Sequence, residues 1–180
     1  MVFRFVSVAV AVMLLALRVP GEAMDEYQVK AAFLYNFAKF VEWPAGVFKT
    51  AKDPMLICVL GHNPFGNALE EAIGGKSIAG RALAYRLVSD SESAAACQIL
   101  FVGLADSKHF RSLLENLKPM GILTVGEAPG FASDGGVINF KLDDGRVHFE
   151  INVDAAEQKQ LHISAKLLSL AQIVKSERSR

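Results

Sequence analysis

The sequence predicts an α/β fold, a single-domain layered sandwich with a largely parallel sheet, flanking helices and a C-terminal β-hairpin. Three observations predict it. Short, largely apolar runs of strand length recur at Met55–Leu60, Gln98–Val102 and Ile122–Val125, and such runs read as strands covered on both faces. Helical or turn-rich segments separate them, so the strands connect by crossovers into a parallel sheet. The pattern then changes: Val137–Leu142 and Arg146–Ile151 flank Asp144-Gly145, a hairpin signature.

The elements follow in order. From Phe5 to Leu17 the chain is almost wholly apolar, preceded by Arg4 and followed by Pro20 and by Gly21-Glu22-Ala23. This is the three-part pattern of a secretory signal, with cleavage expected near Ala23, and the run is shorter than the ~20 residues that span a bilayer. Residues 1–23 are therefore read as a signal peptide, residues 24–180 as one α/β domain, and the periplasm as its compartment. Asp25-Glu26 suits a helix start. Tyr27, Ala31, Leu34, Ala38 and Val41 then repeat at helical spacing, with Phe33, Phe37 and Phe40 alongside. Gln28, Lys30, Asn36 and Lys39 form its polar side, and Trp43-Pro44 stops the helix.

After the strand at Met55–Leu60, Gly61–Pro64 is a loop and Phe65–Ile73 a short helix ended by Gly74-Gly75. Arg81–Val88 is a second strand, with Leu83, Tyr85 and Leu87 on one side, and Ser89–Ala96 a turn or short helix. Ser107 caps a helix expected over Lys108–Leu117, stopped by Pro119 and Gly121. Beyond the hairpin, Asp154 and Glu157 are spaced as a capping box for a C-terminal helix whose buried face is Leu161, Ala165, Leu168, Ala171 and Val174. Lys175, Arg178 and Arg180 read as a solvated tail.

Composition narrows the function. With 52% hydrophobic and 21% charged residues the chain is globular rather than disordered. Its formal net charge is zero and no basic face is visible, which argues against nucleic acid as a partner. Gly75-Lys76-Ser77 resembles the end of a phosphate loop, but Glu70 stands where that motif needs glycine. His62, His109, His148 and His162 show no ligand spacing, so neither a metal nor any other cofactor is expected. No nucleophile, base and orienting group can be named together, so the chain is not read as an enzyme. The two cysteines, Cys58 and Cys97, lie inside and at the entrance of apolar strands, and in an oxidising compartment they are read as a structural disulfide.

Two sets of residues are candidates for binding. The first helix carries more aromatics than one core face needs, and Tyr27, Tyr35 and Trp43 are candidate anchors for a protein partner, with core packing as the alternative. The loops that follow the strands bring His62, Asn63, Phe65, Glu127 and Phe131 forward as candidate contacts for a small ligand. A periplasmic small-molecule sensor is thus the second functional reading.

Tyr27-x-Val-Lys-Ala-Ala-Phe-Leu-Tyr-Asn-Phe-Ala-Lys-Phe-Val-Glu-Trp-Pro44 resembles the opening of the YfiR-like family of periplasmic proteins. The similarity continues through Cys58-Val-Leu-Gly61, Pro64-Phe-Gly66 and Cys97-Gln-Ile-Leu-Phe-Val-Gly103. It resumes at Thr124-Val-Gly-Glu127, Gly130-Phe131, Gly135–Phe140, Phe149-Glu-Ile-Asn152 and Leu161–Ala171. The resemblance implies a non-catalytic regulator that holds off an inner-membrane diguanylate cyclase by binding its periplasmic domain, so limiting cyclic-di-GMP and biofilm formation. It also implies that Cys58 pairs with Cys97. Some relatives carry a second cysteine pair between the positions of Ala132 and Asn139; this chain lacks it. Candidate partners are the periplasmic domain of an inner-membrane diguanylate cyclase or histidine kinase, and a second copy of the chain.

Overall fold

A computed structural model describes residues 21–109, 112, 116, 117 and 121–175. Residues 1–20 of the expected signal peptide, most of the helix expected over Lys108–Leu117, and Arg178 and Arg180 lie outside them. The described part begins with α1 (Gly21–Phe40) and the two-residue strand β1 (Val41–Glu42), then β2 (Met55–Leu60) and α2 (Ala68–Ile73). β3 (Ser77–Ile78), β4 (Arg81–Val88), α3 (Ser91–Ala94) and β5 (Ile99–Val102) follow, and a 3-10 turn spans Leu104–His109. The second half comprises β6 (Leu123–Gly126), β7 (Ile138–Asp143), β8 (Arg146–Asn152), α4 (Val153–Gln158), β9 (His162–Ile163), α5 (Ala165–Leu168) and β10 (Gln172–Val174).

One eight-stranded sheet runs in the order β10-β8-β7-β6-β5-β2-β4-β3. The five strands from β7 to β4 are mutually parallel, as the crossover pattern predicts. β8 returns antiparallel through the Asp144-Gly145 turn, where both residues take positive φ (46° and 70°), the geometry of a two-residue hairpin loop. The apolar runs are buried on both sides because alternate side chains enter different cores. Ile57, Val59, Ile99, Phe101, Leu123 and Val125 join α1, α2, α4 and α5 on one face. Cys58, Leu60, Leu100 and Val102 join Ala94 of α3, Leu117 and Phe131 on the other. Across β2 and β5, Cys58 and Cys97 form a disulfide with Cα atoms 6.0 Å apart, both sulfurs buried.

Two expectations need correction. Lys30 is not on the outer face of α1: it is 4% exposed. It stands three residues after Tyr27 and four before Leu34, so the helical repeat itself turns it inward.

The single C-terminal helix is replaced by helix, strand, helix and strand. Asn152 rather than Asp154 caps α4: its Oδ1 accepts from Ala155 N at 3.0 Å while its Nδ2 donates to Ala132 O at 2.6 Å. Gln160 takes φ +55°, which ends helical geometry. His162–Ile163 then pairs antiparallel with Val41–Glu42, Ser164 caps α5, and β10 adds to β8 in parallel. Strand pairing with distant segments outcompetes the local spacing, so Leu161, Ile163 and Leu167 are buried while Ala165 is exposed.

Candidate functional site

From β2 the chain crosses to β4 on one side and then to β5 on the other. The order reverses there, and open α/β sheets receive ligands in the crevice outside the strand ends at such a point. Gly61–Asn63 after β2, Leu104–Asp106 after β5 and Glu127 after β6 surround it. Gly61, at φ +68°, lies so close to the Asp106 carboxylate that a Cβ would come within 2.5 Å of it, and Asp106 Oδ2 accepts from His62 N at 3.2 Å. Only glycine leaves room for this link between the first two loops.

Beside it, α1 reaches into the crevice with charge. The Lys30 ammonium donates to Glu127 Oε2 at 2.6 Å and also to Glu26, one helical turn earlier. The Tyr27 hydroxyl donates to Glu127 Oε1 at 3.2 Å, the Leu104 amide donates to the same oxygen at 3.0 Å, and the ammonium sits 4.6 Å from the Tyr27 ring centroid. The Lys30 and Glu127 side chains are only 5% and 8% exposed. One carboxylate thereby joins α1 to the ends of β5 and β6. Of these residues, sequence reading singled out Tyr27 and Glu127 but missed Lys30, whose place on the Tyr27–Leu34 stripe was the available signal.

Burial and the negative charges of Glu127 and Glu26 hold the Tyr27 phenol well above the ordinary tyrosine range. The folded chain therefore keeps this proton at pH values where the unfolded chain has lost it. The associated stability is full below about pH 10 and is lost as pH rises through the folded pKa. In an alkaline absorbance titration Tyr27 should ionise only with unfolding, and Tyr27→Phe should remove that late component. Ionisation of every tyrosine in the folded protein near pH 10 would contradict it.

The remaining candidates take different places. Phe65 is buried, edge-on to Tyr27 (5.4 Å between ring centroids) and to Phe101 (4.8 Å). Asn63 fastens its own loop, accepting from Phe65 N at 2.9 Å and donating to Gly66 O at 3.0 Å. Tyr27, Pro64, Phe65 and Asn67 line an open cleft of about 460 Å³. His62 is exposed, and Phe131 turns away into the second core, packed on Gly126 and Gly136. The structure thus brings Tyr27, Phe65 and Glu127 together and leaves Phe131 on the opposite face of the sheet.

Tyr35 and Trp43 are half-buried at separate points. The Tyr35 ring carries the Lys76 ammonium 4.4 Å from its centroid, and the Trp43 indole donates to Gln98 O at 3.2 Å. Among the described residues no group of three or more His, Cys, Asp and Glu could hold a metal ion.

Comparison with known proteins adds a family. A family model described as YfiR/HmsC-like matches residues 27–172. Among solved structures, a conserved domain protein from Vibrio cholerae O1 biovar El Tor strain N16961 is 12% identical with a TM-score of 0.55, over 83% of this chain and 60% of that one. The ABC domain in complex with L-Trp from Streptococcus pneumoniae is 13% identical with a TM-score of 0.48, over 67% of this chain and 55% of that one. This chain therefore spans little more than half the length of these structures, and the Vibrio likeness bears on the fold alone.

Proposed function

We propose that this chain, which belongs to the YfiR/HmsC-like family, is an exported signalling regulator that binds the periplasmic domain of an inner-membrane diguanylate cyclase and holds the cyclase off. The observation that carries this reading is the family match across residues 27–172. The crevice chemistry supports it. The acid and the base that a catalytic reading would need, Glu127 and Lys30, are spent on each other. Among the described residues no helix is long and apolar enough to cross a membrane. A protein of this kind acts on the cytoplasm through a membrane partner, by binding that partner's inactive state more tightly than its active one. Shifting a balanced equilibrium to 99:1 takes about a hundredfold difference in affinity between the two states.

Deleting the gene should raise intracellular cyclic-di-GMP. The full chain should restore the lower level, and a chain lacking residues 1–23 should fail to do so, because it never meets the partner. Unchanged cyclic-di-GMP on deletion, together with an envelope pull-down that recovers no membrane sensor, would overturn the proposal.

A further inference from the structure

The sheet is unfinished at one edge. β8 has seven residues, but β10 covers only its C-terminal part, pairing Gln172 with Glu150, Ile173 with Ile151 and Val174 with Asn152. Among the described residues no strand lies beside Arg146–Phe149 on that side. The direction of the backbone groups follows from the ladder on the other side. Asn152 donates its amide to Val137 O at 2.8 Å, so it faces β7. In an antiparallel pair the facing alternates, so Glu150, His148 and Arg146 also turn their amides and carbonyls towards β7, while Ile151, Phe149 and Val147 turn theirs outward. The Val147 amide and carbonyl and the Phe149 amide therefore point to an edge that β10 does not reach.

Side chains make a receptacle of the same place. Leu142, Phe149 and Leu170, with Lys141, Asp143, His148 and Gln172 among them, border a cleft of about 490 Å³ where the chain turns away before β10. Six large apolar residues are exposed among the described ones; of these, Leu142 (55%) on β7 and Leu170 (66%) line the cleft, and Ile173 (49%) lies on β10 beside it. Alternating outward amides and carbonyls fit the backbone of another strand, and the cleft beside them, where Leu142, Phe149 and Leu170 stand among charged and polar residues, admits one of that strand's side chains. Together they are the two components of recognition by strand addition.

We infer that the β8 edge beside Leu170 is the docking surface for the regulated partner, and that it takes an extended segment of the partner's periplasmic region as an added strand, with an apolar side chain in the Leu142–Leu170 cleft. This rests on the proposed function for the partner's identity, not for the chemistry of the edge.

Hydrogen exchange tests it residue by residue. In the free protein the Val147 and Phe149 amides should exchange fast and the Glu150 and Asn152 amides slowly. The periplasmic region of the cyclase should protect Val147 and Phe149. Leu170→Lys, at an exposed turn outside the ladder, should weaken cyclase binding at least tenfold with an unchanged melting temperature. Leu87→Lys, on a strand towards the other edge of the sheet, should bind normally. A cyclase that binds without protecting these amides, and binds Leu170→Lys as well as wild type, overturns the docking surface and leaves the proposed function standing. Should the cyclase not bind, a soluble hexapeptide of alternating valine and threonine between terminal lysines, at millimolar concentration, becomes the probe. Protection of the same two amides by the peptide supports the edge while the proposed function falls; no protection overturns both.

Discussion

Lys30→Met should destabilise the protein by about 3–5 kcal/mol, the usual result of leaving one member of a buried ion pair without its partner. For a domain of this size that is a fall of roughly 6–20 °C in melting temperature. The cause is desolvation. The Glu127 side chain is 8% exposed, and without the ammonium 2.6 Å away its charge has the Tyr27 hydroxyl and the Leu104 amide for compensation, but no cation among the described residues. The partner substitution discriminates this cause from lost packing. Lys30→Met/Glu127→Gln removes both charges and keeps an oxygen to accept from Tyr27 and Leu104, so the double variant should be more stable than Lys30→Met. Thermal unfolding of the four proteins in the cycle gives the coupling directly. A double variant no more stable than Lys30→Met would show that packing, and not charge, is what Lys30 contributes.

Removing the disulfide comes next in size. Cys58 and Cys97 are 39 residues apart in sequence, and closing a loop of that length restricts the unfolded chain by about 4 kcal/mol in the chain-entropy model. Cys58→Ala/Cys97→Ala should therefore melt roughly 8–16 °C lower. The double substitution is the sound test, because both cysteines are buried, at 0% and 1% exposure, and a reductant reaches them only when the fold opens. Neither sulfur lies in the crevice or on the β8 edge, so cyclase binding at 25 °C should persist as long as the variant is folded. A variant that melts with wild type would remove the disulfide from the account of stability.

The sequence was most legible where chemistry and geometry share a short range. Ile57 to Leu60 and Ile99 to Val102 are apolar at every position, a pattern a strand adopts when both its faces are covered, and both faces are. Asp144-Gly145 supplies the positive φ angles that its hairpin needs. The C-terminal region was misread because its helical spacing is real but incomplete. The alternative, pairing His162–Ile163 with Val41–Glu42 and Gln172–Val174 with Glu150–Asn152, depends on segments that helical periodicity cannot see. The same limit applies to the site. Glu127 stands out as a carboxylate in a loop after a strand, yet its meaning comes from Lys30, 97 residues away.

By itself the sequence determined the class of fold, the succession of its main strands along the chain, the hairpin and the family whose pattern the chain carries. These depend on local burial patterns and on residues such as glycine whose backbone preferences act in place. The tertiary structure alone decided that Lys30 is buried against Glu127, that the segment after Asn152 alternates short helices with strands, and that among the described residues the first part of β8 has an uncovered edge. Each is a contact between segments far apart in sequence. Its free energy lies in desolvation and in hydrogen bonds completed across that distance, which no single segment contains.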